Sequence, residues 1–146
     1  MIRNGNIHDS KQILPLAIEA LERDAYENLL ISPDKIKAMI LEIVSSKRHF
    51  GMVSVDEEGN IQGVVAAVVN DLAFYERKQA SVVMYYCKRP GDGIKMLRKL
   101  MRWIEARPII RLVEFTMEAC TDPRVPKLLK RLGLVNESLP TYVYIK

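Results

Sequence analysis

Two glycines, Gly91 and Gly93, stand between the apolar run of residues 81–87 and an amphipathic stretch that begins at Ile94. A strand that turns through glycines into a helix leaves the first helical N–H groups unpaired and partially positive. Such a corner binds phosphate. Glycine at both positions lets an anion reach the backbone without meeting a side chain. Charge follows the same segment: residues 88–111 hold eight basic residues (Lys88, Arg89, Lys95, Arg98, Lys99, Arg102, Arg107, Arg111) against Asp92 and Glu105, while the whole chain is only +4. Either an anionic ligand docks there or these residues form a solvated helix face.

The better-known phosphate loops do not fit. A Walker loop needs G-x-x-x-x-G-K-[ST], which is missing here. A dinucleotide fingerprint needs a third glycine where this chain has Met96. Metal chemistry has little to work with, because His8 and His49 are the only histidines, and Cys87 and Cys120 form no CxxC pair. The two cysteines read as reduced, packed thiols. Nucleic-acid binding is a third class that the basic segment allows, but Arg98, Lys99 and Arg102 lack interleaved aromatics and no known motif surrounds them.

The elements that must hold this corner can be read from periodicity. With 146 residues, 49% apolar and 27% charged, the chain suits a single globular domain spanning 1–146. No apolar run is long enough for a membrane helix, and the first residues lack a signal core, so the expected location is cytoplasmic. Residues 1–7 suit a short edge strand, and Asp9 or Ser10 a helix cap, with Pro15 either in the first turn or at a kink. Ser32 and Pro33 open a helix whose stripe is Ile36, Met39, Ile40, Ile43 and Val44. A hairpin follows, with strands at 50–55 and 61–69 around the turn Asp56-Glu57-Glu58-Gly59-Asn60. Residues 81–87 read as a buried central strand, 94–107 as the amphipathic helix and 109–117 as a further strand. A short helix capped by Asp122 and stopped by Gly133 comes next, and a strand at 141–145 closes the chain. The fold class is α/β, a mixed central sheet flanked by helices.

With those elements in order, three segments carry a resemblance. Lys88-Arg89-Pro90-Gly91-Asp92-Gly93 matches the pattern [Q/R]-x-x-G-x-[G/A], with Lys88 in place of Gln or Arg. The hairpin 53–64 has a strand, acidic turn, glycine, strand and glycine, and Lys130-Arg131-Leu132-Gly133-Leu134 is similar to a lysine-x-glycine-phenylalanine ending after a helix. Together they resemble the GNAT superfamily of N-acetyltransferases, along nearly the whole chain.

The resemblance implies a GNAT-like fold and acetyl-coenzyme A as co-substrate. It implies that the loop amides from Arg89 through Gly91, Asp92 and Gly93 to Ile94 bind the pyrophosphate, Pro90 having none to offer. Met84, Tyr85 and Tyr86 would pair with pantetheine through their backbone, and Lys88 and Arg89 would meet phosphates. A neutral amine, on a small molecule or a protein, would attack the thioester directly. A backbone N–H near Tyr86 would stabilise the oxygen that gains charge. For the base the sequence offers Glu118 or Glu76, each read more readily as a surface carboxylate, and Tyr86 is a second catalytic candidate. The family's acid tyrosine corresponds to Leu129, which cannot donate a proton, and its asparagine to Asp122. A catalytically silent coenzyme-A-binding, structural or interaction domain is therefore the alternative to an acetyltransferase. The acceptor pocket is expected from Tyr26-Glu27-Asn28 and the 71–78 connection, where Glu22, Asp24 and Glu27 favour a cationic amine. A homodimer is compatible with the sequence.

Overall fold

The computed structural model of the chain describes residues 1–22, 30–115 and 123–134. Its frame is one five-stranded sheet in the order β1 (Ile2–Asn4), β2 (Phe50–Val55), β3 (Ile61–Asp71), β4 (Lys78–Cys87) and β5 (Ile110–Phe115). The first four strands run antiparallel to their neighbours and β5 is parallel to β4, so the sheet is mixed. Helices α1 (Ser10–Leu21) and α2 (Pro33–Ser45) cover one face, and α3 (Asp92–Glu105) the other, with α4 (Val125–Arg131) following β5.

Strand alternation sorts the core into two layers. Phe50, Met52, Val65, Ala67, Ala80 and Val82 point to α3 and meet Met96, Leu97, Leu100 and Ile104. Val53, Val55, Ile61 and Val64 point the other way, to Ile13 and Leu16 of α1 and Ile40 of α2. The amphipathic stripe expected for 94–107 is thus the inner face of α3.

The N-terminal segment departs from the sequence reading. β1 ends at Asn4, and a single 3-10 turn, Ile7–Asp9, precedes α1. Asp9 caps that turn, accepting the Asn6 N–H at 2.8 Å, and makes no cap bond to α1. Arg3 grips the same carboxylate with two nitrogens at 2.8 and 2.9 Å. That hydrogen-bonded guanidinium holds the Asp9 carboxyl below the usual carboxylate range. Pro15 lies inside α1, past its first turn, where its ring removes one helical N–H.

Helix α2 starts as expected, with Ser32 accepting the Lys35 N–H at 3.4 Å and Pro33 in the first turn. Its buried stripe is narrower than the pattern suggests, because only Ile40 and Ile43 are buried and Met39 stays 45% exposed. The hairpin turn is built by Asp56, whose Oδ1 accepts the N–H groups of Glu58 and Asn60. Gly59 supplies the left-handed residue at φ +88°. Both following strands are longer than expected, reaching Asp71 and starting at Lys78, whose side chains form an ion pair at the hairpin's tip. Gly133, at φ +97°, ends α4: its N–H reaches Lys130 and the Leu134 N–H reaches back to Leu129. The expected strand at 141–145, together with Met117, Cys120 and Asp122, lies outside the described residues.

Candidate functional site

The loop between β4 and α3 is four residues, Lys88 to Gly91, and its geometry follows from its glycines. Gly91 is the N-cap of α3 at φ +82°, a conformation that a side chain strains. Among the described residues a Cβ built there would meet nothing within 4 Å, so the backbone is open on that side. Gly93 has the opposite reason. A Cβ there would lie 2.6 Å from the Tyr85 hydroxyl and 3.2 Å from its ring carbon, so only glycine lets β4 and α3 approach this closely. Gly93→Ala should therefore cost about 1–3 kcal/mol in chemical denaturation, the usual range for overpacking. Adding Tyr85→Phe should recover part of it, since the hydroxyl is the nearest obstruction; no recovery would place the strain elsewhere.

Fewer amides serve an anion than the sequence suggests. The Asp92 N–H already points at the Arg89 carbonyl, 3.4 Å away, and the Gly93 N–H faces the Cys87 sulfur. Those of Arg89, Gly91 and Ile94 donate to no described residue. The Cys87 thiol donates to the Arg89 carbonyl at 3.2 Å, and burial raises its pKa.

The Asp92 side chain turns inward, contrary to a role at an exposed phosphate site. Its Oδ2 accepts the Ser54 hydroxyl at 2.6 Å from under the helix, and both residues are buried. Arg89 also folds back, donating to the Val55 carbonyl at 3.0 Å with its Nε 3.8 Å from Asp92. Lys95 lies 3.7 Å from the other Asp92 oxygen. Arg98, Lys99 and Arg102 remain exposed along α3.

Strand β4 carries a bulge. Met84 pairs with Ala66 and Val82 with Ala67, leaving Val83 as the extra residue. Alternation slips there, so Val83 and Met84 both line an apolar cleft on the α1/α2 face, with Ile36 and Met39 of α2. Beyond the bulge, Tyr85 and Cys87 pack toward α3, and Tyr85 meets Phe115 edge to face at 5.8 Å. Met84 and Tyr86 face α1 and α2.

The same register assigns the backbone groups. The Lys88 N–H donates to the Gln62 carbonyl at 2.8 Å, and hydrogen-bonded pairs alternate along an antiparallel ladder. Tyr86 and Met84 therefore turn their backbone groups to β3, and Tyr85 and Cys87 turn theirs to the β5 side. The expectation that Met84, Tyr85 and Tyr86 all present their backbone in the same way is therefore not met: of the three only Tyr85 turns its backbone groups away from β3, as Cys87 does. Pairing with β5 is described up to Val82 opposite Phe115.

On the α1 face lies a cluster that the sequence reading missed. Glu19 of α1 accepts the Tyr86 hydroxyl at 3.2 Å on one oxygen and stands 3.4 Å from Lys88 Nζ on the other. The Lys88 ammonium also lies 5.9 Å from the centre of the Tyr86 ring. Lys88 is thus drawn toward α1. The only sequence signal for Glu19 is a carboxylate flanking the Ile13, Leu16 and Ala17 stripe.

The remaining candidates are placed as follows. Leu129 is buried in α4. Glu76 is exposed in the turn after Asp71, at the far end of β4 from the glycine loop, roughly 30 Å of strand at ~3.3 Å per residue. That distance also removes the 71–78 connection from the surroundings of the loop. Glu118, Asp24 and Tyr26-Glu27-Asn28 lie outside the described residues. Among the described residues no helix is long and apolar enough to cross a membrane, and no His, Cys, Asp or Glu group could hold a metal.

Solved structures share the overall fold. A possible acetyltransferase from Clostridium difficile 630 superposes with a TM-score of 0.72 over 100% of this chain and 97% of its own, at 12% identity. The chain has the GNAT acetyltransferase fold. An aminoglycoside acetyltransferase from an uncultured soil metagenomic sample matches with a TM-score of 0.66 at 15% identity, covering 100% of this chain and 98% of that one. A ribosomal-protein-alanine N-acetyltransferase from Brucella melitensis biovar Abortus 2308 gives 0.65 at 14%, covering 100% and 99%. No family model matches the sequence, and no curated protein is significantly similar to it. The GNAT fold agrees with the mixed α/β architecture expected from the strand, loop and helix order.

Proposed function

We propose that this chain is an N-acetyltransferase that moves an acetyl group from acetyl-coenzyme A to a primary amine. The observation that carries the reading is the open backbone at Gly91, the N-cap of α3, on a fold shared with acetyltransferases. The corner fits a diphosphate: the helix start, with the amides of Arg89, Gly91 and Ile94, supplies N–H donors and partial positive charge, and Lys88, Arg89 and Lys95 add cationic charge beside it.

The strand register supports a course for the rest of the cofactor. The Cys87 and Tyr85 backbone groups on the β5 side of β4 would hold an extended pantetheine arm that leads from the loop toward the bulge at Val83 and Met84. Bound there, acetyl-coenzyme A supplies an activated acyl carbon. The Tyr85 N–H is the donor for the oxygen that gains charge as the amine attacks, in place of the Tyr86 amide that β3 takes. Glu118 remains the proposed base, and solvent protonates the departing thiolate because Leu129 cannot. The acceptor is a small-molecule or protein amine.

Calorimetry with coenzyme A and with acetyl-coenzyme A tests the reading. Both should bind and raise the melting temperature, and thiol release should follow addition of an amine. Tight cofactor binding with no thiol release across a broad panel of amines and peptides would leave a silent domain of the same fold. Failure to bind coenzyme A would overturn the reading altogether.

A further inference from the structure

We infer that the outer faces of α3 and α4 form a docking surface for double-stranded nucleic acid, met through its phosphate backbone. Lys95, Arg98, Lys99 and Arg102 follow the i, i+3, i+4, i+7 spacing of one helical face, opposite the buried Met96 and Leu100, and all four are exposed. Helix α4 lies on the same side of the sheet, since Leu128 and Leu132 pack on the core layer of α3, and its Lys127, Lys130 and Arg131 are exposed as well. Against these cations the two helices hold Glu105 and Asp92, of which Asp92 is buried. Helices α1 and α2, on the other side, balance Lys11, Lys35 and Lys37 with Glu19, Asp34 and Glu42. The charge is one-sided. A helix face that meets only solvent gains from opposite signs at i+3 and i+4. Here Lys95 faces Arg98 and Lys99, and Arg102 faces both, so the row repels itself until an anion covers it. Among the described residues the side chains of Arg98, Lys99, Arg102, Lys127 and Arg131 have no partner.

The make-up of the surface selects the partner. Protein interfaces are anchored by aromatic and large apolar side chains, and surface-bound membrane proteins by inserted ones. Among the described residues neither helix carries an exposed one, because the exposed aromatics, Phe74 and Tyr75, stand at the tip of the β3–β4 hairpin. That tip lies where α3 finishes, as the Lys78 N–H donates to the Ile109 carbonyl. A membrane at the tip would reach only the last turn of α3, whereas the cation row runs roughly 10 Å along the helix. Single strands stack their bases on exposed aromatics, which the row lacks. A duplex turns its phosphates outward and asks only for cations, here spaced about 5–6 Å apart along one face. Arg98, Arg102 and Arg131 add paired donors for phosphate oxygens.

Fluorescence anisotropy with labelled duplexes of about 20 base pairs, two unrelated DNA sequences and one RNA, tests this without any cofactor. The two DNA sequences should bind within about twofold of each other, and the RNA within about tenfold, because bases are not read. For DNA, log K against log salt should fall with a slope of about −4 to −5, as five neutralised phosphates require. Combining Arg98→Gln, Lys99→Gln and Arg102→Gln should bring that slope to about −2 and weaken binding more than about tenfold. The melting temperature and coenzyme A binding should not fall, since these exposed side chains only repel one another. Combining Lys11→Gln, Lys35→Gln and Lys37→Gln removes the same charge from the other face and should leave binding within about twofold. Equal loss in both triple variants, or no duplex binding at low salt, overturns the inference. So does tighter binding of a single strand, of polyglutamate or of phosphatidylserine vesicles at equal charge.

Discussion

Gly91→Glu should abolish coenzyme A binding, weakening it by more than about 100-fold in calorimetry, while the chain still folds. Two effects act at this residue and can be separated. The first is backbone strain: Gly91 sits at φ +82°, where any L side chain costs about 1–2 kcal/mol. That lowers the melting temperature by about 2–8 °C for a domain of this size. The second is specific to the ligand. Because a Cβ at Gly91 meets nothing within 4 Å, the new side chain extends outward without disturbing the core. There it places a carboxylate where the Arg89, Gly91 and Ile94 amides would hold phosphate. Gly91→Ala is the control, sharing the strain but not the charge, and should bind coenzyme A within a few-fold of the natural chain. Equal binding by the Glu and Ala variants would show that no diphosphate rests on this corner.

Much of the frame was legible because its signals are local. The Ser32–Pro33 helix start, the Asp56 and Gly59 turn and the Gly133 stop are each set by a few adjacent residues whose backbone preferences leave little choice. The glycine loop was legible for the same reason. The site's side chains were not, because their partners are distant in sequence. Tyr86 meets Glu19 across 67 residues, Asp92 meets Ser54 across 38, and Arg89 meets Val55 across 34. No periodicity reports such contacts. The bulge at Val83 was hidden in a continuous apolar run, where no alternation exists to be broken. The facing of the residues beyond it is fixed instead by Lys88 opposite Gln62, which turns the Tyr86 backbone to β3 and that of Tyr85 to the β5 side. His49 shows the same limit. It is buried with Nδ1 accepting the Val69 N–H at 3.0 Å, an arrangement that fixes its proton on Nε2, 3.3 Å from Glu42.

Asp92→Ala should be the most destabilising single change at the corner, costing about 3 kcal/mol, the upper range for a buried hydrogen bond to a charged group. The carboxylate joins three things at once: it accepts the Ser54 hydroxyl, it lies at the positive start of α3, and it is flanked by Arg89 and Lys95. Removing it leaves the Ser54 hydroxyl buried without its acceptor and two cations without their counter-charge. Ser54→Ala removes only the first contact and should cost less, about 1–2 kcal/mol. The same geometry gives a pH signature. The Ser54 hydrogen bond, with the nearby Arg89 and Lys95 charges, holds the Asp92 carboxyl below its ordinary value. A carboxyl with a depressed folded pKa contributes stability that is full above its unfolded value, near 4, and is lost as pH falls through the folded one. Urea titrations of the natural chain from pH 6 downward should therefore show a loss below about pH 4 that is smaller in Asp92→Asn. Asp9, held down by Arg3, contributes in the same window and remains in both proteins, so the difference between the two curves isolates Asp92. If the curves run parallel, the carboxylate is not holding the start of α3 against β2, and the open backbone at Gly91 needs another support.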